Sequence, residues 1–282
     1  VFSSDIPEVP VIVVGNLNVG GTGKTPFTLY LANALSKAGK KVGIATRGYK
    51  GKKSNSMPYI LDETSDAQDY GDEAVYLSRH SNAIVCVCSQ RLKAANLLFE
   101  RGVDVILSDD GLQHFALKRD LELVVVASDR AFGNRRLLPA GPLREGLDRL
   151  DTIDLICLNG KKIDEDLHLE NTIGFEIENK TAKNIHNGQI LSIDAFINHD
   201  VNLIAGIGDP NVLVQKLIKL GININHIKVA DHGAIDSSEI KNLQGTSLFL
   251  TPKDLVKYSK DDLPKETWEL IPEMMIDQSQ EQ

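Results

Sequence analysis

The chain has 282 residues, 42% of them apolar and 25% charged, and 31 lysines and arginines face 39 aspartates and glutamates for a net charge of −8. These are values of a globular enzyme in one large or two small domains, which excludes a disordered or fibrous chain, and the acidic balance argues against a dedicated nucleic-acid binder. Three cysteines (Cys86, Cys88, Cys157) without CxxC or Cys/His spacing exclude a disulfide scaffold and a zinc site, and no run approaches the ~20 apolar residues that span a bilayer.

Along the chain, short apolar runs alternate with helix-like segments. Val11–Gly15 reads as a strand, and Thr25–Ala38 as a helix with Phe27, Leu31 and Leu35 on one face and Gly39 as its stop. Further strands are expected at Val42–Thr46, Ala83–Cys88, Val103–Ser108, Leu121–Ala127 and Asp154–Leu158, with helices at Asp72–His80 and Gln90–Arg101 between them. Continuous apolar strands alternating with helices imply an α/β fold with a parallel sheet covered on both faces. After Leu158 the texture becomes polar, with only a weak strand pattern at Ile173–Ile177. A second α/β rhythm then follows: a strand at Leu203–Ile207, a helix at Asn211–Leu220, a strand at Ser247–Leu250 and a helix at Lys253–Tyr258. The expected division is a nucleotide-binding domain over 1–158 and a smaller α/β domain over 159–282.

Between the first strand and first helix lies Gly20-Gly21-Thr22-Gly23-Lys24-Thr25. A strand, glycine-rich loop and helix in that order form a P-loop: backbone N–H groups and the helix N-terminus converge on phosphate oxygens. Lys24 would reach the β- and γ-phosphates, and the Thr25 hydroxyl would ligate Mg²⁺. Asn18 stands where the first glycine of the pattern normally sits, and asparagine tolerates left-handed backbone. A P-loop also needs a carboxylate at the end of a neighbouring strand. Val103–Ser108 ends in Asp109-Asp110-Gly111. Alone, that string is turn chemistry; beside an upstream P-loop, the metal role is favoured. Asp72, in Gly71-Asp72-Glu73, reads by itself as a helix cap. Arg130, Arg135, Arg136, Arg144 and Arg149 crowd a Gly/Pro-rich stretch that reads equally as phosphate recognition or as a solvated loop. His232, in Asp231-His232-Gly233, is by itself only a histidine beside an acid. Cys86 and Cys88 alternate along a strand as packing residues.

Taken together, these strings resemble the tetraacyldisaccharide 4′-kinases, the lipid A kinases of Gram-negative bacteria. The resemblance runs from Val11-Ile12-Val13-Val14-Gly15 through the P-loop and Pro26, Thr46-Arg47-Gly48-Tyr49, Gly71-Asp72-Glu73 and Ser108-Asp109-Asp110-Gly111-Leu112-Gln113-His114. It is most specific at Phe132-Gly133-Asn134-Arg135-Arg136-Leu137-Leu138-Pro139-Ala140-Gly141-Pro142-Leu143-Arg144-Glu145, and continues at Gly206–Pro210, Asp231-His232 and Thr251–Asp254. The resemblance implies two unequal α/β/α lobes with the active site in the cleft between them. It implies transfer from ATP, with Mg²⁺, to the 4′-hydroxyl of a tetraacyl glucosamine disaccharide 1-phosphate at the cytoplasmic face of the inner membrane. By the same resemblance Asp72 is the catalytic base and His232 the histidine that pairs with it. Asp109 and Asp110 lie near Mg²⁺, and Arg144 and Glu145 are further active-site positions, Glu145 on the metal side. The nucleotide is expected to contact Asn18, Val19, Gly20, Gly21, Thr22, Gly23, Lys24 and Thr25.

The chain departs from the family pattern at Asn18, usually threonine, at Ala74, usually proline, and at Gly233, usually histidine or a bulky residue. It starts at Val1, and the hydrophobic, basic segment that members usually carry ahead of the first strand is expected to precede it as a membrane-docking element. The expected partners are the lipid A precursor and a membrane surface, with no nucleic acid and no obligate protein partner. A second reading, an ATP-driven switch acting on a protein partner, is disfavoured because Val19 occupies the position of the extra lysine that some such ATPases carry.

Overall fold

The computed structural model describes residues 8–53, 56–160, 169–229, 233–243 and 245–277. The chain divides into two compact units: Val1–Ser65, Asp69–Glu176 and Met274–Gln282 form the first, and Asp66–Gln68 and Ile177–Glu273 the second.

In the first unit, β1 (Val11–Gly15), α1 (Lys24–Lys37), β2 (Val42–Thr46) and β3 (Tyr59–Ile60) are followed by α2 (Ala67–Tyr70), α3 (Asp72–His80), β4 (Ile84–Val87) and α4 (Arg91–Glu100). Then come β5 (Val105–Asp109), β6 (Leu121–Ala127), β7 (Leu155–Asn159) and the start of β8 (Thr172–Asn184). The strands lie in the order β3-β4-β2-β5-β1-β6-β7-β8, all parallel except β3, which runs antiparallel to β4. Every residue of β2 and β5 is buried, as are the last six of β6. That explains why these strands read as unbroken apolar runs: a central parallel strand has helices on both faces and no solvent side. Val13, Ala45, Cys86, Cys88, Leu98, Ile106 and Val124 belong to one core cluster. The two strand cysteines therefore pack, and burial pushes the Cys86 thiol up to about 12.

In the second unit, β9 (Ile190–Ser192) pairs antiparallel with β8, and β10 (Asp200–Ile204) leads into α5 (Pro210–Lys219) and β11 (Asn223–Ile227). α6 (Ser237–Lys241), β12 (Ser247–Leu250), α7 (Pro252–Leu255) and β13 (Thr267–Ile276) complete the order. Strands β11-β10-β12-β13 are parallel neighbours. Within their mainly aliphatic core, Phe196 meets Phe249 and Trp268 edge-on, with ring centroids 4.8 and 5.1 Å apart. α5 opens as its sequence predicts, with Pro210 in its first turn and the Asp209 carboxylate accepting from Asn211 N at 3.0 Å.

α7 is shorter than the helix expected over Lys253–Tyr258. Its continuation closes with three-residue turns, Lys257 N to Asp254 O and Tyr258 N to Leu255 O, and beside them the Asp254 side chain is fully engaged. It lies buried and accepts from Gly206 N, Thr251 Oγ1 and Lys257 Nζ at 2.8, 2.6 and 2.8 Å. Among the described residues no helix is long and apolar enough to cross a membrane.

Candidate active site

Val14 of β1 and Asp109 of β5 are partners in the parallel register. The loop after β1 and the Asp109-Asp110 pair after β5 therefore leave the sheet side by side at its carboxyl edge, where open α/β sheets bind ligands. The loop's glycines are required by its path: Gly20 has φ 107° and Gly23 φ 94°, backbone that side-chain-bearing residues rarely adopt.

Three successive carbonyls of the loop are held by side chains. Asn16 Nδ2 donates to Gly20 O at 3.3 Å, Arg130 Nη2 to Gly21 O, and Asn159 Nδ2 to Thr22 O at 3.1 Å. The backbone N–H groups of Gly20, Gly21, Thr22, Gly23 and Lys24 find no acceptor among the described residues. Free backbone N–H groups in a glycine-rich loop at a helix N-terminus are the donors from which an anion cradle is built, and the tied carbonyls hold the loop in place.

Asn18, the departure at the head of the loop, has a structural task. Its Nδ2 donates to Ala131 O at 2.5 Å, and its backbone bridges Leu143. With Val19 N on Pro142 O (2.8 Å) and Arg144 N on Leu17 O (2.7 Å), it fastens residues 131–144 along the loop. Val19 itself is half exposed.

Lys24 opens α1, and its Nζ lies 3.0 Å from Asn16 Oδ1 and 3.0 Å from Asp110 Oδ1. Arg144 Nη1 reaches the same carboxylate at 3.0 and 3.2 Å and also donates to Gln113 Oε1 at 3.3 Å. Gln113 Nε2 in turn donates to Glu145 Oε1 at 2.6 Å, while Glu145 Oε2 pairs with Arg149 Nε at 3.4 Å. Glu122 closes the chain, taking Arg149 at 2.5 Å and Arg119 at 2.6 Å. Burial pushes the Asp110 carboxyl upward, but the Lys24 and Arg144 charges outweigh it and hold it below its ordinary value.

Asp109 is the opposite case. Its carboxylate is buried and accepts from Thr28 Oγ1 at 3.0 Å and Thr46 Oγ1 at 3.5 Å. Burial, helped by the negative charge of Glu73, pushes it up to about 6. Beneath it Arg91, 2% exposed, donates to Asp109 O at 3.1 Å and Cys88 O at 2.8 Å. Burial and the neighbouring Arg91 and Arg47 charges pull the His114 imidazole down to about 4, so it is neutral at pH 7.

Asp72 is buried and is the first residue of α3, not its cap; the cap position belongs to Gly71, φ 88°. A Cβ on Gly71 would stand 2.6 Å from Tyr49 O, so only glycine admits this turn. The Asp72 carboxylate folds back to accept from Glu73 N at 2.8 Å. His232 and Asp231 lie outside the described residues.

Among the described residues no three His, Cys, Asp or Glu side chains form a metal cluster by themselves. Mg²⁺ is usually held by one or two carboxylates, with phosphate oxygens and water completing the shell. Thr25, Asp109, Asp110 and Glu145 are all hard oxygen donors, so their chemistry fits the ion.

Against known proteins, the family model described as "Tetraacyldisaccharide-1-P 4′-kinase" matches residues 1–282. The chain belongs to that family. It is 41% identical over 253 residues to the tetraacyldisaccharide 4′-kinase of Aliivibrio salmonicida, covering 89% of this chain and 73% of that one. To the enzyme of the same name from Colwellia psychrerythraea it is 42% identical over 269 residues, covering 93% and 77%. The crystal structure of the "apo" form of LpxK from Aquifex aeolicus in complex with ATP superposes with a TM-score of 0.81 at 30% identity, covering 98% of this chain and 86% of that one. The kinase family and its α/β fold are therefore those that the sequence strings indicated. Sequence reasoning missed Asn16, Thr28, Arg91 and Asn159 as parts of this site, and read Arg130 only as one of five arginines in a stretch equally open to phosphate recognition or a solvated loop. Gln113 lay inside a quoted motif without a role.

Proposed function

We propose that this kinase transfers the γ-phosphoryl group of ATP to the 4′-hydroxyl of a tetraacyl glucosamine disaccharide 1-phosphate, a step of lipid A biosynthesis, at a membrane surface. The observation that carries the reading is the run of five free backbone N–H groups in the loop, with Lys24 and Arg144 converging on Asp110, in a chain matched by the family over its whole length. The ATP held by the Aquifex relative supports a nucleotide at this loop.

Phosphoryl transfer asks the protein for position and charge neutralisation rather than covalent chemistry. The cradle takes the β- and γ-phosphates, and Lys24 and Arg144 offset the charge that spreads over the transferring group. Thr25 and Asp109 would hold Mg²⁺, with Asp110 and Glu145 in its surroundings; bound there, the ion supplies charge neutralisation on the phosphate oxygens. Asp72 accepts the proton of the attacking 4′-hydroxyl, and His232 holds Asp72 in its working orientation. The Thr28 and Thr46 hydroxyls, one on each carboxylate oxygen, restrain the Asp109 side chain.

Incubating the protein with γ-labelled ATP and a detergent-dispersed tetraacyl disaccharide 1-phosphate tests the reading. Label should appear on the lipid, and ATP turnover should depend on the acceptor. Acceptor-independent hydrolysis would favour the switch instead.

A further inference from the structure

The segment from Arg130 to Arg144 is fastened to the phosphate loop at both ends, by Arg130 on Gly21 O and Asn18 on Ala131 O at one and by Pro142 O and Arg144 N at the other. Between these points it forms a tight, built turn. Leu138 N donates to Leu143 O at 2.8 Å, Gly141 N to Leu137 O at 3.0 Å and Leu143 N to Arg136 O at 3.1 Å. Asn134 braces it from inside, donating to Ala140 O at 2.9 Å and accepting from Arg136 N at 3.2 Å.

What this turn presents outward is unusual for a water-facing loop. Leu137 and Leu138 are adjacent and 51% and 54% exposed. Arg135 and Arg136 precede them, both exposed. Arg135 sits at φ 59°, a left-handed position where an arginine is strained. From 131 to 143 the sequence holds no acidic residue, in a chain whose net charge is −8. Single exposed leucines need no explanation, but two side by side on a hydrogen-bonded turn, preceded by two exposed arginines, fit a defined kind of surface. Apolar side chains that enter an acyl boundary while neighbouring cations stay with phosphates are how interfacial elements dock.

We propose that the tip formed by Arg135, Arg136, Leu137 and Leu138 docks this protein onto an anionic lipid bilayer. The proposal rests on the lipid-kinase reading and deepens it, because it places the bilayer on a segment strapped directly to the phosphate loop. Charge and apolar exposure together select this occupant, the arginines matching anionic headgroups and the leucines the acyl boundary behind them. A second copy of the chain, with its net charge of −8, would answer the arginines but offers no acyl layer to receive the leucines.

Vesicle sedimentation tests it, with the whole chain and vesicles of phosphatidylcholine alone or mixed with phosphatidylglycerol. The protein should sediment with the anionic vesicles and stay in solution with the neutral ones. The Leu137→Ser/Leu138→Ser variant should bind anionic vesicles at least about tenfold more weakly. Arg135→Gln/Arg136→Gln should lose roughly fivefold per arginine and most of the salt dependence. The leucine variant should keep its melting temperature, its ATP affinity and its transfer to detergent-dispersed acceptor, while transfer to acceptor embedded in vesicles falls. Unchanged sedimentation of both variants overturns the proposal, as does equal binding to neutral vesicles. Displacement by inorganic phosphate would assign the arginines to a free anion, and a dimer lost in the leucine variant would assign the tip to a second copy; either result also overturns it. Failure of the unmodified protein to label detergent-dispersed acceptor would instead strike the kinase reading and leave vesicle binding to be judged separately.

Discussion

Lys24 and Arg144 share one acceptor: each places a nitrogen 3.0 Å from Asp110 Oδ1. One lies on the first turn after the phosphate loop and the other 120 residues later on the strapped segment (144 − 24), so the carboxylate sets the separation of two cations that the sequence keeps far apart. Bringing two fixed cations to one point before any charge develops is the preorganisation that phosphoryl transfer rewards.

Removing Lys24 should therefore cost catalysis and not the fold. Lys24→Ala leaves Asp110 paired with Arg144, and no core contact is lost, so the melting temperature should stay within a few degrees. Turnover should fall by at least roughly 10²- to 10³-fold, the scale for loss of one preorganised donor. Single-turnover transfer and thermal denaturation of the same preparation check both halves. Near-normal transfer would remove the phosphate role from this loop.

Burial makes the Asp109 carboxylate costly to ionise. Its folded-state value of about 6 lies above the ordinary 3.8, so the folded protein keeps this proton over a pH range in which the unfolded chain has lost it. Stability from this group is therefore highest below that range and is lost as pH rises from about 4 to about 6. Asp109→Asn removes the penalty: in EDTA at pH 7.5 the variant should be more stable, by at most about 3 kcal/mol. The advantage should vanish toward pH 4. Transfer should meanwhile collapse or demand more Mg²⁺. Melting curves across pH decide it; a variant less stable than the parent at pH 7.5 contradicts the burial argument.

Gln113 joins an anion to a cation, donating to Glu145 at 2.6 Å and accepting from Arg144 at 3.3 Å. Gln113→Glu keeps the shape but sets two carboxylates against each other, and like charges at that distance repel. Turnover should drop about tenfold or more, and lowering the pH should recover part of it as the pair takes up a proton. Gln113→Ala, which only loosens both partners, should lose less and show no such recovery. Identical pH profiles for the two variants would argue that Gln113 is filler.

The first unit was largely legible because its strands are buried on both faces and so read as apolar runs: Val42–Thr46 and Leu121–Ala127 were expected with the bounds they have. The second unit hid several strands. Asn223–Ile227 alternates polar and apolar residues at partial burial, and Thr267–Ile276 contains Pro272, which a strand reading rejects. Tyr59–Ile60 and Ile190–Ser192 are too short to carry a pattern. In the site, the phosphate loop announced itself by local spacing. Arg91 could not, because its meaning comes from burial: an arginine at a helix start reads as a surface residue until Asp109 O is found against its guanidinium. Arg130 and Asn159 likewise reach the loop across more than 100 residues of sequence, at separations of 109 and 137.

The role of Asp72 can be isolated by one conservative change. The structure puts it inside the first turn of α3 with its carboxylate on Glu73 N. An asparagine retains that acceptor oxygen, so Asp72→Asn should fold normally and bind ATP as the parent does. A general base, by contrast, cannot be replaced by an amide, and turnover should fall by roughly 10²- to 10⁴-fold. His232→Ala should lose less alone and almost nothing further on the Asp72→Asn background, since a residue that works through another has no effect once that other is gone. If the two losses multiplied instead, His232 would act independently of Asp72. Transfer kinetics of both single variants and the double variant, alongside ATP affinity by calorimetry, distinguish these cases, and parent-like turnover in Asp72→Asn would place the base elsewhere in the site.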